Sequence, residues 1–290
     1  PLEVSHLKAI GGRNARKAVP EMLSLIARAR EEGLDVMCDA YPYTAGSTQL
    51  IHVLPPEFQA GGTETLTKRL RDRAAREEMR ARMETGSDFE NITLLVGFEN
   101  VVAIGLRTDE YRRFEGKSIA EIALALGKDP YDALFDLLAA EKCEAGMIDY
   151  ISDEENLKAI LRAPFSGVIS DATYPGTGQV HPRVYGAFAR LIETYVVRKK
   201  VLTLEQAVHK VTLQAAERFS LAGKGKIEVG ADADLLLFAP EKIRERGTYL
   251  APRACASGFD EVFVLGERVI ENGVYRGGSS GEMLGLRMEY

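Results

Sequence analysis

Short apolar runs alternate with a helical pattern at the start of the chain. Residues 2–5 form an apolar run that ends at His6, residues 20–32 carry apolar positions at helical spacing, and residues 34–38 form a second apolar run. Gly33 is the type of residue that commonly ends a helix. This strand–helix–strand unit predicts two parallel strands, because parallel pairing needs a long crossover connection.

Residues 44–118 interrupt the alternation. They contain a strongly charged helical pattern at about 63–85 and an apolar run that predicts a strand at 92–98. We interpret this segment as an insertion between two units of an alternating fold. Long insertions of this kind often cover an active site, and we expect the same here.

Regular patterns return after the insertion. Helices are predicted to begin at Ser118 and at Asp129, the second running to about 142. The further predicted strands are 147–151 and 167–169, and the further helices are 154–162, 183–198 and 203–218.

The pattern of apolar and polar residues changes after residue 222. Short predicted strands at 226–227, 234–238, 261–265 and 267–270 are separated by glycine-containing turns, which is typical of a small all-β unit. We therefore divide the chain into an α/β part at 1–222, a β-domain at 223–275 and a tail at 276–290.

Composition narrows the class of protein. The 290 residues are 46% hydrophobic and 28% charged, as in ordinary globular proteins, and the net charge is −6. An acidic chain without a basic block is a poor candidate for binding nucleic acid or a membrane surface. The three cysteines are far apart and form no CxxC pair, so we expect a reducing, cytoplasmic setting.

Candidate chemistry lies just after two predicted strands, at His6 and at Asp171. Parallel α/β folds carry their functional residues at the carboxyl ends of strands. A neutral imidazole binds Zn²⁺, and a carboxylate beside the metal can accept a proton from bound water. Taken singly, His6 has a structural alternative as a buried histidine, and Asp171 has one as a loop cap.

Two cations and a hydroxyl-rich segment form a second set of candidates. Arg183 follows a glycine-containing loop at 174–180 and has the fork geometry to hold a carboxylate, with a solvated helix N-terminus as the alternative. Lys8 has an ordinary surface lysine as its alternative. The segment 41–48 offers hydroxyls and backbone donors to a substrate, or forms a simple turn.

Four segments in order resemble the N-acyl-D-amino-acid deacylases (D-aminoacylases) of the amidohydrolase superfamily. They are SHLK at 5–8, DAYPYTAGST at 39–48, SD at 170–171 and HPRVYG at 181–186. The stretches LEQA at 204–207 and GKIEVGADADL at 225–235 are similar to the superfamily's return from barrel to β-domain. The resemblance covers nearly the whole chain.

The resemblance implies the C-terminal part of a metal-dependent (β/α)₈ TIM-like barrel with a small β-sandwich domain. The implied reaction is hydrolysis of N-acyl-D-amino acids to a D-amino acid and a carboxylate. It implies that His6 is a zinc ligand and that Asp171 is the catalytic acid and base. The residues implied to bind the substrate are Lys8, Ser47, Arg183 and one of Tyr41 and Tyr43.

Two departures from the family pattern stand out. The first is Ala172, which replaces the family's usual glycine after the SD aspartate. The second is the lack of the family's other metal ligands, which are an upstream HxH pair, a cysteine and a further histidine. We therefore expect most ligands of the one or two Zn²⁺ ions to come from the N-terminal half of the enzyme, present as a second chain. On this hypothesis, the position before Pro1 is a junction within a larger enzyme.

Two other functions stay open at this stage. One is a different amidohydrolase that acts on cyclic amides, as dihydroorotases and hydantoinases do. The other is a truncated barrel without catalysis that serves as a binding module. We expect the choice of D-side chain to be made by the insertion at 44–118 and by the loop at 172–180.

Overall fold

Two parallel strands joined by a helix open the computed structural model, which describes residues 1–11, 15–173 and 178–284. Strand β1 (Leu2–Val4) pairs with β2 (Val36–Ala40) in parallel, and helix α1 (Ala15–Glu31) connects them. This confirms the predicted unit. The helix begins earlier than predicted and contains Pro20, and Gly33 follows it with a φ of 87°.

The segment that follows builds a separate antiparallel sheet and a group of helices. Its elements are β3 (Ala45–Gln49), 3₁₀ turns at Leu50–Val53 and Pro56–Gln59, α2 (Gly62–Arg69), α3 (Arg73–Thr85), α4 (Ile92–Val96), a 3₁₀ turn at Phe98–Asn100, β4 (Val101–Ile104), a 3₁₀ turn at Arg112–Phe114, α5 (Ile119–Leu126), α6 (Pro130–Ala140) and β5 (Gly146–Tyr150). The sheet has the order β3-β5-β4, and both pairings are antiparallel.

Helix starts in this segment follow their capping residues. Ser118 and Glu121 form the predicted capping box of α5, and Asp129 caps α6. The strand predicted at 92–98 is wrong, because the Asn91 side chain accepts a hydrogen bond from the Leu94 amide and turns the apolar run into α4.

The chain then returns to the first sheet. The elements are α7 (Glu154–Arg162), β6 (Ser166–Val168), α8 (Arg183–Arg190), its π-helical continuation Leu191–Arg198, α9 (Leu204–Val211) and α10 (Leu213–Arg218). Strand β6 pairs in parallel with β2, so the sheet has the order β1-β2-β6. Thr212 breaks the helix predicted at 203–218 into α9 and α10.

A buried lysine ties α9 to the start of β6. The Lys210 Nζ donates to the carbonyl oxygens of Ala163 and Ser166 at 2.7 and 2.5 Å. Burial lowers the pKa of Lys210 to about 8. These bonds fix the strand that leads to Asp171.

The last part of the chain forms an antiparallel meander. Its elements are β7 (Leu235–Phe238), a 3₁₀ turn at Pro240–Lys242, β8 (Phe259–Val264), β9 (Glu267–Glu271) and β10 (Val274–Tyr275). In the described part of the chain these strands make one sheet, with the order β10-β9-β8-β7. A strand predicted at 226–227 is absent there.

Two large apolar clusters of the described residues support the sheets. One lies among α2, α3, α5, α6 and the β3-β5-β4 sheet and includes Leu66, Met79, Leu134 and Phe135. The other lies among the parallel sheet, α1, α7 and the α8 region. Cys38 and Cys143 are buried, as expected of small apolar residues, whereas Cys255 is exposed. Among the described residues, no helix has the length and hydropathy needed to span a membrane.

Leu134→Ala tests the first core. Leu134 has an exposure of 0%, so the substitution leaves a cavity and should lower the free energy of unfolding by about 2–5 kcal/mol. Leu124→Ala, at a leucine that is 85% exposed, is the matched control and should change it by less than about 0.5 kcal/mol. Urea unfolding of the two variants measures both effects. Equal losses would contradict the assignment of this core.

Candidate functional site

His6 and Asp171 lie at the same edge of the parallel sheet. His6 follows β1 and Asp171 follows β6, with β2 between the two strands. Both residues adopt left-handed backbone conformations, with φ values of 42° and 48°. Such a conformation costs a residue with a side chain about 1–2 kcal/mol, so the surrounding contacts must hold it in place.

Asp39, a buried residue on β2, holds the loop that carries His6. Its Oδ1 accepts hydrogen bonds from the His6 amide at 2.6 Å and from the Ser5 hydroxyl at 3.2 Å. Its carbonyl oxygen accepts one from the Leu7 amide at 2.8 Å. Three consecutive residues are therefore fixed by one aspartate, which compensates for the strained conformation at His6.

Lys8 places a cation beside the His6 ring. Its Nζ lies 3.3 Å from the His6 Nδ1 and 5.5 Å from the centroid of the Tyr41 ring. Burial lowers the pKa of Lys8, while the carboxylates of Asp149 and Asp171 act in the opposite direction. The half-buried ammonium is therefore partly desolvated and suited to binding an anion.

Arg183 is the most connected side chain of the site. Only 3% of its side chain is exposed, and its Nη1 forms an ion pair with the Asp171 Oδ2 at 2.9 Å. Its Nη2 donates to the Ser47 carbonyl oxygen at 3.2 Å, and the guanidinium carbon lies 4.6 Å from the centroid of the Tyr41 ring. The two residues predicted to act as acid–base and as carboxylate clamp thus bind each other directly.

His181 is a neutral anchor for Arg183. Its Nδ1 accepts the Arg183 amide hydrogen at 3.0 Å, which leaves the Nε2–H to donate to the Ala45 carbonyl oxygen at 3.0 Å. Burial lowers the pKa of His181 to about 3, because a second proton would have to enter a buried site and displace the Arg183 amide. The imidazole therefore serves structure here.

All of the predicted site residues except Tyr43 line one cavity of about 760 Å³. They are His6, Lys8, Tyr41, Ser47, Asp171 and Arg183. The Tyr43 hydroxyl instead donates to the Glu245 Oε1 at 2.6 Å. The geometry therefore favours Tyr41 over Tyr43 as the tyrosine that faces a ligand.

The insertion also contributes to this cavity. Lining residues from 44–118 include His52, Leu54, Phe89, Glu90 and Ile92. Of the loop predicted to choose the side chain, Thr173 lines the cavity, and residues 174–177 lie outside the described residues.

Asp149 is a cavity residue that the sequence analysis missed. It lies on β5 with 3% exposure, and burial raises the pKa of its carboxyl to about 6. Nearby Lys8 and Arg183 act in the opposite direction. The signal was present in the sequence, since a single carboxylate interrupts the apolar run at 147–151.

His6 can supply one ligand to a metal ion, because a neutral imidazole has one lone-pair nitrogen. A zinc site needs three or four protein ligands. Within residues 1–11, 15–173 and 178–284, no three His, Cys, Asp or Glu side chains come together as such a set. The residues present therefore fit one corner of a metal site and do not complete it.

Comparison with protein families gives a match over residues 13–269 to the amidohydrolase family. The chain is 31% identical to N-acyl-D-glutamate deacylase of Alcaligenes xylosoxydans xylosoxydans over 263 residues, which is 91% of this chain and 44% of that protein. It is 29% identical to D-aminoacylase of the same organism over 287 residues, or 98% of this chain and 48% of the relative. The chain thus spans about half the length of these relatives.

Solved structures of deacylases also match this chain. A crystal structure of D-aminoacylase matches with a TM-score of 0.72 and 28% identity, covering 96% of this chain and 48% of the other. The Bordetella bronchiseptica N-acyl-D-glutamate deacylase, complexed with zinc and a phosphonate mimic of the tetrahedral intermediate, matches with a TM-score of 0.66 and 27% identity. That match covers 95% of this chain and 49% of the other.

His181→Gln tests the neutral anchor through the pH dependence of stability. The unfolded histidine takes up a proton below its ordinary pKa of about 6.5, whereas the folded one does so only near 3. Its contribution to the free energy of unfolding therefore falls as the pH drops from 6.5 towards 3. Between these two pH values, the free energy of unfolding of wild type should therefore change with pH by about 1.4 kcal/mol per pH unit more than that of the variant.

Urea unfolding of wild type and variant at pH 4, 5, 6 and 7 measures the slope. The opposing effect of Asp149, whose raised pKa favours the folded state on acidification, is common to both proteins and cancels in the difference. His209→Gln, at an exposed histidine on α9, is the matched control. An unchanged slope in His181→Gln would show that His181 is charged in the folded protein.

Proposed function

Since this chain belongs to the amidohydrolase family and is homologous to D-aminoacylases, we propose that it is the C-terminal part of a zinc-dependent N-acyl-D-amino-acid deacylase. The enzyme hydrolyses the amide bond of an N-acyl-D-amino acid to give a D-amino acid and a carboxylate. The observation that carries this proposal is the single cavity that His6, Lys8, Asp171 and Arg183 line at one edge of the parallel sheet.

Asp171 is the proposed proton carrier. Its carboxylate faces the cavity at a strand end, where it accepts a proton from the attacking water and returns it to the leaving amide nitrogen. The ion pair with Arg183 fixes the orientation of the carboxylate before a substrate arrives. The left-handed backbone conformation of Asp171 directs its side chain towards the cavity. The contacts of the surrounding fold compensate for the energetic cost of this conformation.

Lys8 and Arg183 are the proposed binding partners of the substrate's α-carboxylate. Lys8 brings a partly desolvated ammonium. Arg183 brings the remaining donors of a guanidinium that the Ser47 carbonyl oxygen and the Tyr41 ring hold in place. An incoming carboxylate competes with Asp171 for Arg183. Substrate binding therefore loosens the resting ion pair and makes Asp171 available for proton transfer, which couples binding to catalysis.

His6 is the proposed contribution of this chain to a site for one or two zinc ions, and the other ligands come from the N-terminal half of the enzyme. When bound, zinc lowers the pKa of a water molecule so that it attacks at neutral pH. His6 is positioned for this role by Asp39, which accepts a hydrogen bond from its amide. The cytoplasmic setting stays a prediction.

Exposed apolar surface supports a partner for this chain. Leu2 on the edge strand β1 is 58% exposed, and Leu34, which lies two residues before the start of β2, is 57% exposed. Strand β7, at the edge of the C-terminal sheet, exposes consecutive leucines at 235–237. Edge strands with apolar residues favour pairing with further chain. We propose that the N-terminal half of the enzyme covers these edges.

A substrate panel tests the proposed reaction in the complete enzyme. N-acetyl-D-amino acids should be hydrolysed, while N-acetyl-L-amino acids and cyclic ureides should not. Hydrolysis of the ureides alone would instead identify a cyclic amidase. Zinc analysis and intact-mass analysis of the same sample report the metal and the companion polypeptide, and an inactive, metal-free sample would indicate a binding module.

Asp171→Asn should lower kcat of the complete enzyme by about 10²–10⁴-fold, because the amide cannot accept the proton. Zinc content should stay close to that of wild type, since Asp171 is not a proposed ligand. Steady-state kinetics and metal analysis on one preparation measure both. Turnover like that of wild type would remove Asp171 from the mechanism.

Arg183→Met should raise KM by about 10- to 100-fold, because a charged hydrogen bond to the substrate carboxylate is lost. Arg28→Met, at an exposed arginine on α1 outside the cavity lining, is the comparison for a simple loss of charge. Initial rates over a range of N-acetyl-D-amino acid concentrations give KM and kcat separately. An unchanged KM would argue against a carboxylate clamp.

A further inference from the structure

One oxygen of a buried carboxylate in the cavity lacks a hydrogen-bond partner among the described residues. Asp149 is 3% exposed and lines the same cavity as His6 and Asp171. Among the described residues, its Oδ1 accepts no hydrogen bond. Buried polar atoms are nearly always paired, because an unpaired one has lost its hydration without replacement. The carboxylate group that carries this atom lines the cavity and is therefore a candidate for pairing with a ligand.

The register of the β3-β5 pair creates the space for this carboxylate. Asp149 lies directly opposite Gly46, and a Cβ atom at Gly46 would come within 2.6 Å of the Asp149 Oδ1. The carboxylate thus occupies the position above a residue without a side chain. With a pKa of about 6 after burial, the group is mainly ionised at neutral pH.

Neighbouring cations influence Asp149 electrostatically and have other partners. Arg183 pairs with Asp171 at 2.9 Å, and the Lys8 ammonium contacts the His6 ring at 3.3 Å. In the part of the chain that the structure describes, no Lys or Arg nitrogen lies within 4.0 Å of an Asp149 oxygen. The negative charge of Asp149 is therefore not neutralised by a direct ion pair.

The cavity that Asp149 lines also contains aliphatic surface and a further carboxylate from the insertion. Leu54, Ile92 and Ile151 line the cavity, and so does Glu90, an exposed carboxylate of the insertion. A long basic side chain matches such a wall, because its methylene groups pack against apolar atoms while its head reaches a carboxylate. An acidic side chain would meet repulsion there.

On the basis of the proposed function, we infer that the enzyme selects N-acyl-D-amino acids with a cationic side chain and that Asp149 binds the cationic head. Lys8 and Arg183 then hold the α-carboxylate, so both charges of the substrate are matched within one cavity. The inferred selectivity is opposite to the acidic side chain in the name of the related N-acyl-D-glutamate deacylase. Asp149 is thus a specificity residue, distinct from the residues that carry the reaction.

The decisive comparison uses two substrates of equal shape, N-acetyl-D-arginine and its neutral isostere N-acetyl-D-citrulline. With the complete enzyme, kcat/KM should be about 10- to 100-fold higher for the arginine derivative, as expected for a charged hydrogen bond in a buried site. N-acetyl-D-glutamate should be the poorest substrate. N-acetyl-D-leucine reports activity that does not depend on side-chain charge.

Variants assign the selectivity to one residue. Asp149→Asn should bring the arginine-to-citrulline ratio close to one, whereas Asp149→Glu should keep a preference for arginine. Glu32→Gln, an exposed carboxylate outside the cavity lining, is the control and should not change the ratio. If Asp149→Asn does not fold, competitive inhibition of wild type by D-arginine and D-citrulline gives the same comparison without a variant.

The outcomes separate this inference from the proposed function. Hydrolysis of N-acetyl-D-leucine or N-acetyl-D-glutamate with an arginine-to-citrulline ratio near one would overturn the role of Asp149 and leave the deacylase intact. A ratio that persists in Asp149→Asn would also overturn it. Failure to hydrolyse any N-acyl-D-amino acid would overturn both.

Discussion

The site depends on the interactions of one buried group, the guanidinium of Arg183. A buried charge is costly unless it is paired and its donors are used. Arg183 meets this requirement by joining Asp171 after β6, the Ser47 carbonyl on β3 and the Tyr41 ring after β2. The parallel sheet, the antiparallel sheet and helix α8 therefore meet at one cation, and the cavity lies where they meet.

Local signals explain what the sequence could predict. Gly33 ends a helix, Ser118 with Glu121 begins one, and the strand ends identified His6 and Asp171 as candidates. These features depend on neighbouring residues alone. The strand predicted at 92–98 is wrong because the apolar run fits either a strand or a helix, and a single hydrogen bond that the Asn91 side chain accepts from the Leu94 amide decides between them.

Other features depend on contacts between distant residues and were not accessible from the sequence. The antiparallel sheet brings β3 against β5, about one hundred residues later, and this pairing places Asp149 above Gly46. Read along the chain, Asp149 is a lone acid within a buried strand. Only the register shows that it faces a cavity, and only the fold shows that His181, singled out in the HPR segment, is a neutral support for Arg183.

The left-handed backbone at His6 and Asp171 has an evolutionary consequence. Glycine would relieve the strain at either position at the expense of the imidazole or the carboxylate. Given the proposed roles of His6 and Asp171, selection for a stable fold and selection for turnover act in opposite directions at these two positions. In a lineage that no longer needs the reaction, drift towards glycine at residues 6 and 171 would be an early sign of lost catalysis, visible in the sequence while the rest of the fold is still intact.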